Sequence, residues 1–218
     1  MSISPTDVDS LAQAGENARR EFKLGLPTWP KVARTLAAFA NGRGGTLLVG
    51  VDDRGRVRGV SHAHEVIAEL ERIAAVEIAP PLSTRCTAVE MPGSRGTVVA
   101  CEVGASDLRP HAANRPNGEP EVTLRLGSST RAASPTAIRA MRAPADRTSL
   151  DDLERRVLTW LERQADPGAR GAAPATIAGF ANAHNIGRAR ARRVFWKLEH
   201  SGRVVGYGEG ERRTFALP

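Results

Sequence analysis

The stretch from Arg20 to Gly59 limits what the rest of the chain can fold into. Pro30 to Ala40 carries a proline at the first helical position. Val32, Ala33, Leu36, Phe39 and Ala40 form one apolar face, and Asn41-Gly42 is the stop signal. Gly44-Gly45 then leads into Gly45 to Val51, a short apolar run that reads as a buried strand closed by the Asp52-Asp53-Arg54-Gly55 turn. Ahead of the helix, Ala18 to Leu24 reads as a strand with Phe22 and Leu24 on one face and Glu21 and Lys23 on the other. Polar groups gathered at the ends of such strands mark a place to look for a site.

Further along, Arg56 to Val60 is expected to pair back as a hairpin, and His62 to Ile78 to form a helix with Val66, Ile67, Leu70, Ile73 and Ala74 as its stripe. Leu82 to Met91 and Gly96 to Val103 read as strands around Pro92-Gly93-Ser94. Ala105 to Pro120 reads as an irregular surface loop, Glu121 to Leu126 as the last strand, and Ser134-Pro135 as the start of a helix reaching Met141. This order suits an α+β domain with one mostly antiparallel sheet.

Residues 143–149 (Ala-Pro-Ala-Asp-Arg-Thr-Ser) read as a linker between a domain at 1–142 and another at 150–218. In the second, Leu150 to Leu161, Pro174 to Ala183 and Gly187 to His200 carry helical periodicity, with a tight turn at Asn185-Ile186-Gly187. Arg203 to Leu217 reads as a β-hairpin around Gly206 to Gly210. Three helices and a hairpin in this order predict a winged helix-turn-helix.

Charge points to the partner. The chain of 218 residues has a net charge of +7, with 28 arginines against 3 lysines. That balance favours polyanions. In the third C-terminal helix Ala191, Val194, Phe195 and Leu198 are expected to pack. Arg190, Arg193 and Lys197 fall on the opposite side, flanked by Arg188 and Arg192. An arginine face on the second helix of a helix-turn-helix suits the major groove, where arginine binds guanine edges or phosphates. Arg212 and Arg213 in the wing are candidates for further contacts. The alternative is a solvated basic face, or a winged helix used for dimerisation.

Glu16, Arg20-Glu21-Phe22-Lys23, Ala38-Phe39-Ala40-Asn41 and Gly44 to Asp53, with Leu124 to Arg131 as a closing strand, together resemble the Schlafen AlbA-like domain over about residues 10 to 142. The resemblance implies an α+β fold and two functional readings. One is a DNA-binding transcriptional regulator, as for bacterial members that end in a winged helix. The other is a metal-dependent endoribonuclease acting on structured RNA such as tRNA. There Glu16, Glu21 and Asp52 (or Asp53) match the metal-binding carboxylates, and Lys23 is placed to contact the phosphate. Carboxylate oxygens suit Mg²⁺ or Mn²⁺. The plainer alternative for these residues is an exposed Glu21–Lys23 pair, turn-forming aspartates and a loop glutamate. The resemblance also implies a homodimer, since two such lobes form a basic trough.

ATP is not expected. The glycines of Asn41 to Gly45 lie between helix and strand, the reverse of the phosphate-loop order, and there is no Gly-Lys-Ser/Thr. Their expected work is a tight turn, with Arg43 and Arg131 as candidate backbone-phosphate contacts. The histidines have no ligand spacing, so no zinc site is expected. No run approaches the roughly 20 apolar residues of a membrane span, and no signal pattern opens the chain, so a cytoplasmic protein is expected. Cys86 and Cys101 are too few for a disulfide framework and read as buried thiols.

Overall fold

The computed structural model describes residues 3–93, 95–142, 150–164, 175–208, 210 and 213–217. The chain divides into two compact units, Met1–Ala132 and Ala133–Pro218.

In the first unit the predicted central helix is α2 (Trp29–Asn41), with proline in its first turn and its end at Gly42. It follows α1 (Pro5–Gln13) and β1 (Arg20–Lys23) and precedes β2 (Gly45–Val49). β1 and β2 run parallel, so β1-α2-β2 is a crossover unit within an otherwise antiparallel sheet. That sheet has the order β1-β2-β5-β4, with β4 at Thr84–Glu90 and β5 at Thr97–Val103. A second sheet, β3-β6-β7-β8, is formed by Ile78–Ala79, Ala112–Arg115, Gly118–Leu126 and Ser129–Ala132. α2 packs on strands of both sheets, which is why it is buried almost all round. α3 (Ala63–Val76) adds Leu70, Ile73 and Ala74 to the core around α2.

Alternation along the first sheet sorts its side chains into two clusters. Leu47, Val49, Val99, Cys101 and Val103 face α2 and α3, while Leu48, Val98 and Ala100 join Val8, Ala12 and Phe22 on the α1 side. The Gly44-Gly45 turn is forced by packing. Gly44 has φ +74°, and a Cβ there would lie 2.7 Å from the Val103 carbonyl oxygen; at Gly45 it would meet the Phe39 ring.

Several expectations change. Arg56 to Val60 forms no ladder with β2, whose two edges are occupied by β1 and β5. It makes only bridges, Val51 with Val57 and Val60 with Thr97. The expected loop at Ala105 to Pro120 contains β6 and the start of β7, and β8 follows the strand expected to be last. The cause is Asn41, fully buried at the end of α2. Its Nδ2 donates to the carbonyls of His111 (2.8 Å) and Thr123 (2.9 Å), and its Oδ1 accepts from His111 N (2.6 Å). These bonds tie the helix end to β7 and to the residue leading into β6.

The division between units also falls earlier than expected. α4 (Pro135–Arg142) belongs to the second unit, where it packs on α7 (Arg188–His200); a Cβ on Gly202, just beyond α7, would meet the Ala140 carbonyl oxygen at 2.9 Å. The rest of this unit is α5 (Asp152–Gln164), α6 (Ile177–Ala183) and the antiparallel pair β9 (Val205–Tyr207) and β10 (Thr214–Ala216). The expected linker 143–149 and residues 165–174 lie outside the described residues.

Candidate nucleic-acid interface

In the first unit one motif charge, Glu21, is turned inward. Glu21 is buried between two cations, with Lys23 Nζ at 2.6 Å and Arg125 Nη1 at 2.8 Å. Arg125, on β7, is itself only 5% exposed. Its guanidinium donates to Thr130 Oγ1 (3.1 Å) and the Asn17 carbonyl (2.9 Å), and it stands 5.4 Å from the Phe39 ring centroid. Sequence reasoning missed Arg125 as the buried partner of Glu21. The signal was present in the Leu124-Arg125-Leu126 strand, where a charge interrupts an apolar run.

Glu16 Oε1 accepts from Phe22 N at 2.9 Å. Burial raises its pKa, the Phe22 N–H opposes the shift, and the charge of Glu21 adds to it. Asp52 instead closes its own turn. It accepts from Arg56 N (2.9 Å), Arg54 N (3.0 Å) and Arg56 Nε (2.8 Å), and the Arg56 N–H leads the causes that hold its pKa at about 2. Glu16 and Glu21 are thus neighbours, and Asp52 is committed elsewhere. Among the described residues no three His, Cys, Asp or Glu side chains come together to hold a metal ion. The arrangement does not fit the three-carboxylate Mg²⁺ or Mn²⁺ centre.

Glu21, Lys23, Lys31, Arg34, Ser128 and Thr130 line a cleft of about 250 Å³. Its cations are partly spent, since Arg34 pairs with Glu121 at 3.1 Å. Arg43 and Arg131 are exposed, in the α2–β2 turn and on β8.

In the second unit the apolar face of α7 packs as the spacing predicts. Ala191, Phe195 and Leu198 are buried and Val194 packs against them. Phe195 makes edge contacts with Phe180 (5.6 Å) and Phe215 (4.7 Å). Thr176 caps α6 by accepting from Gly179 N, and Asn185, at φ 49°, supplies the left-handed residue of the α6–α7 turn. The Phe215 N–H donates to the Ala175 carbonyl at 2.7 Å, fastening β10 to the entry of α6.

Arg188, Arg190, Arg192 and Arg193 are all exposed. Two other expected contacts have structural work. Lys197 pairs with buried Glu154 at 2.7 Å, and Glu154 also accepts from Asp151 N to close the start of α5. Arg213 pairs with buried Glu199 and lies 5.2 Å from the Phe215 ring centroid. Arg212 lies outside the described residues.

Arg188, Arg192 and Trp196, one helical turn apart, line a groove of about 480 Å³ with Ile177, Ala178, Gly210 and Arg213. Trp196 is 57% exposed. Sequence reasoning missed it, although a tryptophan off the apolar stripe of an arginine-rich helix was the available signal.

Among the described residues no helix is long and apolar enough to cross a membrane. The model of the Schlafen, AlbA_2 family matches residues 16–134. No curated protein matches the chain. A solved structure, the DIP2311 protein from Corynebacterium diphtheriae, is similar at 18% identity and a TM-score of 0.42, over 74% of this chain and 40% of that one.

Proposed function

The chain belongs to the Schlafen AlbA_2 family, and on that premise, which supports nucleic-acid binding, we propose that it is a DNA-binding transcriptional regulator. Its second unit acts as a winged helix-turn-helix, with α7 entering the major groove. The observation that carries this reading is the exposed arginine face of α7 beside Trp196. A guanidinium left facing water is available to a phosphate or a guanine edge, whereas one already paired inside the fold is not. Arg188 and Arg192 hold the strand along the groove, and Arg190 and Arg193 reach from the adjoining face. The protein acts as a homodimer, which gives two copies of α7 for a two-fold site.

The endoribonuclease reading requires Glu21 to leave Lys23 and Arg125 and Asp52 to leave its turn. It is the weaker of the two on that account.

The test is duplex DNA binding by fluorescence anisotropy over a salt series, without added metal and again with Mn²⁺. Affinity is expected to fall steeply with salt, and the slope to shrink by about 1 in each of Arg188→Gln and Arg192→Gln, as one phosphate goes unneutralised. Binding indifferent to both substitutions overturns the assignment to α7. Metal-dependent cleavage of RNA, abolished in Glu21→Gln, overturns the regulator in favour of the nuclease.

A further inference from the structure

The two cysteines stand directly opposite each other, Cys86 on β4 and Cys101 on β5. The hydrogen-bond phase of this ladder follows from its hairpin end. Met91 N donates to Gly96 O at 2.9 Å, so these two form a hydrogen-bonded pair there. Strict alternation through the continuous register then makes Val89/Val98 and Thr87/Ala100 hydrogen-bonded pairs, and Ala88/Val99 and Cys86/Cys101 non-hydrogen-bonded ones. The other edge of β5 agrees: the Thr97 carbonyl accepts from Val60 N at 2.8 Å, pointing away from β4 as this phase demands. Opposed residues in a non-hydrogen-bonded pair have Cα atoms about 4.5 Å apart, within the roughly 4.4–6.8 Å that a disulfide spans.

Both thiols lie on the α2–α3 side of the sheet, Cys101 fully buried and Cys86 half-buried against the same cluster. The two thiols are cross-strand neighbours, and Cys86 Sγ lies 3.8 Å from Thr84 Oγ1. The neighbouring Cys101 thiol lowers the Cys86 pKa against the opposing effect of burial, while Cys86 and burial raise that of Cys101. Cys86 is therefore the thiol that both ionises first and meets solvent.

We propose that Cys86 and Cys101 form a reversible cross-strand disulfide on reaction with a hydroperoxide. The Cys86 thiolate attacks the peroxide oxygen. An S–O bond forms, the O–O bond breaks, and the sulfenic acid is left with alkoxide or hydroxide departing. Cys101 sulfur then attacks Cys86 sulfur, giving up its proton, and the hydroxyl leaves as water. Two thiols and one hydroperoxide give one disulfide, one water and one alcohol (or a second water for hydrogen peroxide). The crosslink fastens edge strand β4 to β5, and thiol exchange with a dithiol reductant reopens it.

The test treats the full chain with hydrogen peroxide, quenches, unfolds and alkylates with N-ethylmaleimide before intact mass analysis. The expected product has lost two hydrogen atoms, takes no alkyl group, and regains both alkylation sites after dithiothreitol. Cys101→Ala is expected to let Cys86 run on to sulfinic acid. Wild-type protein carrying sulfinic acid at Cys86 with Cys101 still alkylated, or crosslinked between chains through Cys86, overturns the proposal. The wild-type readout decides even where the variant fails to fold.

Discussion

Arg125 in the first unit and the α7 arginines in the second are held in opposite ways. In the first, Arg125 is buried against Glu21, Asn17 and the Phe39 ring, and Arg56 closes the Asp52 turn. In the second, Arg188, Arg190, Arg192 and Arg193 are left on the outer face of one helix beside an exposed indole. The same side chain is structural at Arg125 and left facing water at Arg188, Arg190, Arg192 and Arg193. Its availability depends on whether an acid is folded in beside it, which residue type alone does not reveal.

The largest effect expected from this contrast is at Arg125. Arg125→Met leaves Glu21 buried with only Lys23, and loss of one partner of a buried pair costs roughly 3–5 kcal/mol. Urea unfolding, read by hydrogen exchange in α2 and β7 peptides, should show the first unit destabilised while the second keeps its protection. An equal loss in both units would break the contrast. Asn41→Ala comes next. It strips partners from the His111 N–H and from two carbonyls, at about 1–3 kcal/mol for each buried group left unpaired. The same exchange measurement should show β6 opening first.

For the second unit the prediction separates stability from affinity along a single helix. Trp196→Ala should leave unfolding unchanged and weaken duplex DNA binding, since an exposed aromatic ring on a major-groove helix can make apolar contact with a thymine methyl. Lys197→Met should do the reverse. It leaves Glu154 without its cation and costs about 1 kcal/mol, a figure kept small because Lys197 is mostly exposed. Calorimetry and anisotropy on both variants would expose a wrong assignment, because weaker binding by Lys197→Met at unchanged stability would return that residue to the interface.

Much of this was legible beforehand, and the misses share a cause. The helix at Pro30 to Ala40, the Gly44-Gly45 turn and the packed face of α7 follow from local spacing, so sequence suffices. Asn41 read only as a helix stop because its partners, His111 and Thr123, lie on distant strands. The inward turn of Glu21 depends on Arg125, more than a hundred residues away. Lys197 and Arg213 read as interface cations because Glu154 and Glu199 are brought to them only by folding. Asp52 was legible as a turn former from the start, and its three bonds within Asp52 to Arg56 are that reading realised.

The smallest predicted effect tests whether the two first-unit carboxylates differ as their surroundings require. The folded pKa of Asp52 lies at about 2, below its usual 3.8, so its contribution to stability is present above that usual value and is lost as pH falls toward 2. Asp52→Asn should remove that acid-side loss. Glu16 has the opposite sign. Its folded pKa lies above the usual 4.5, so its favourable contribution is present below 4.5 and is lost as pH rises through the folded value. Glu16→Gln can keep the acceptor for Phe22 N without a buried charge, and should therefore flatten the curve on the neutral side only. Urea midpoints across the acid range would distinguish the two. A Glu16→Gln variant that lost stability at neutral pH would show that the ionised carboxylate is wanted there, and would return Glu16 to the candidates for a charged site.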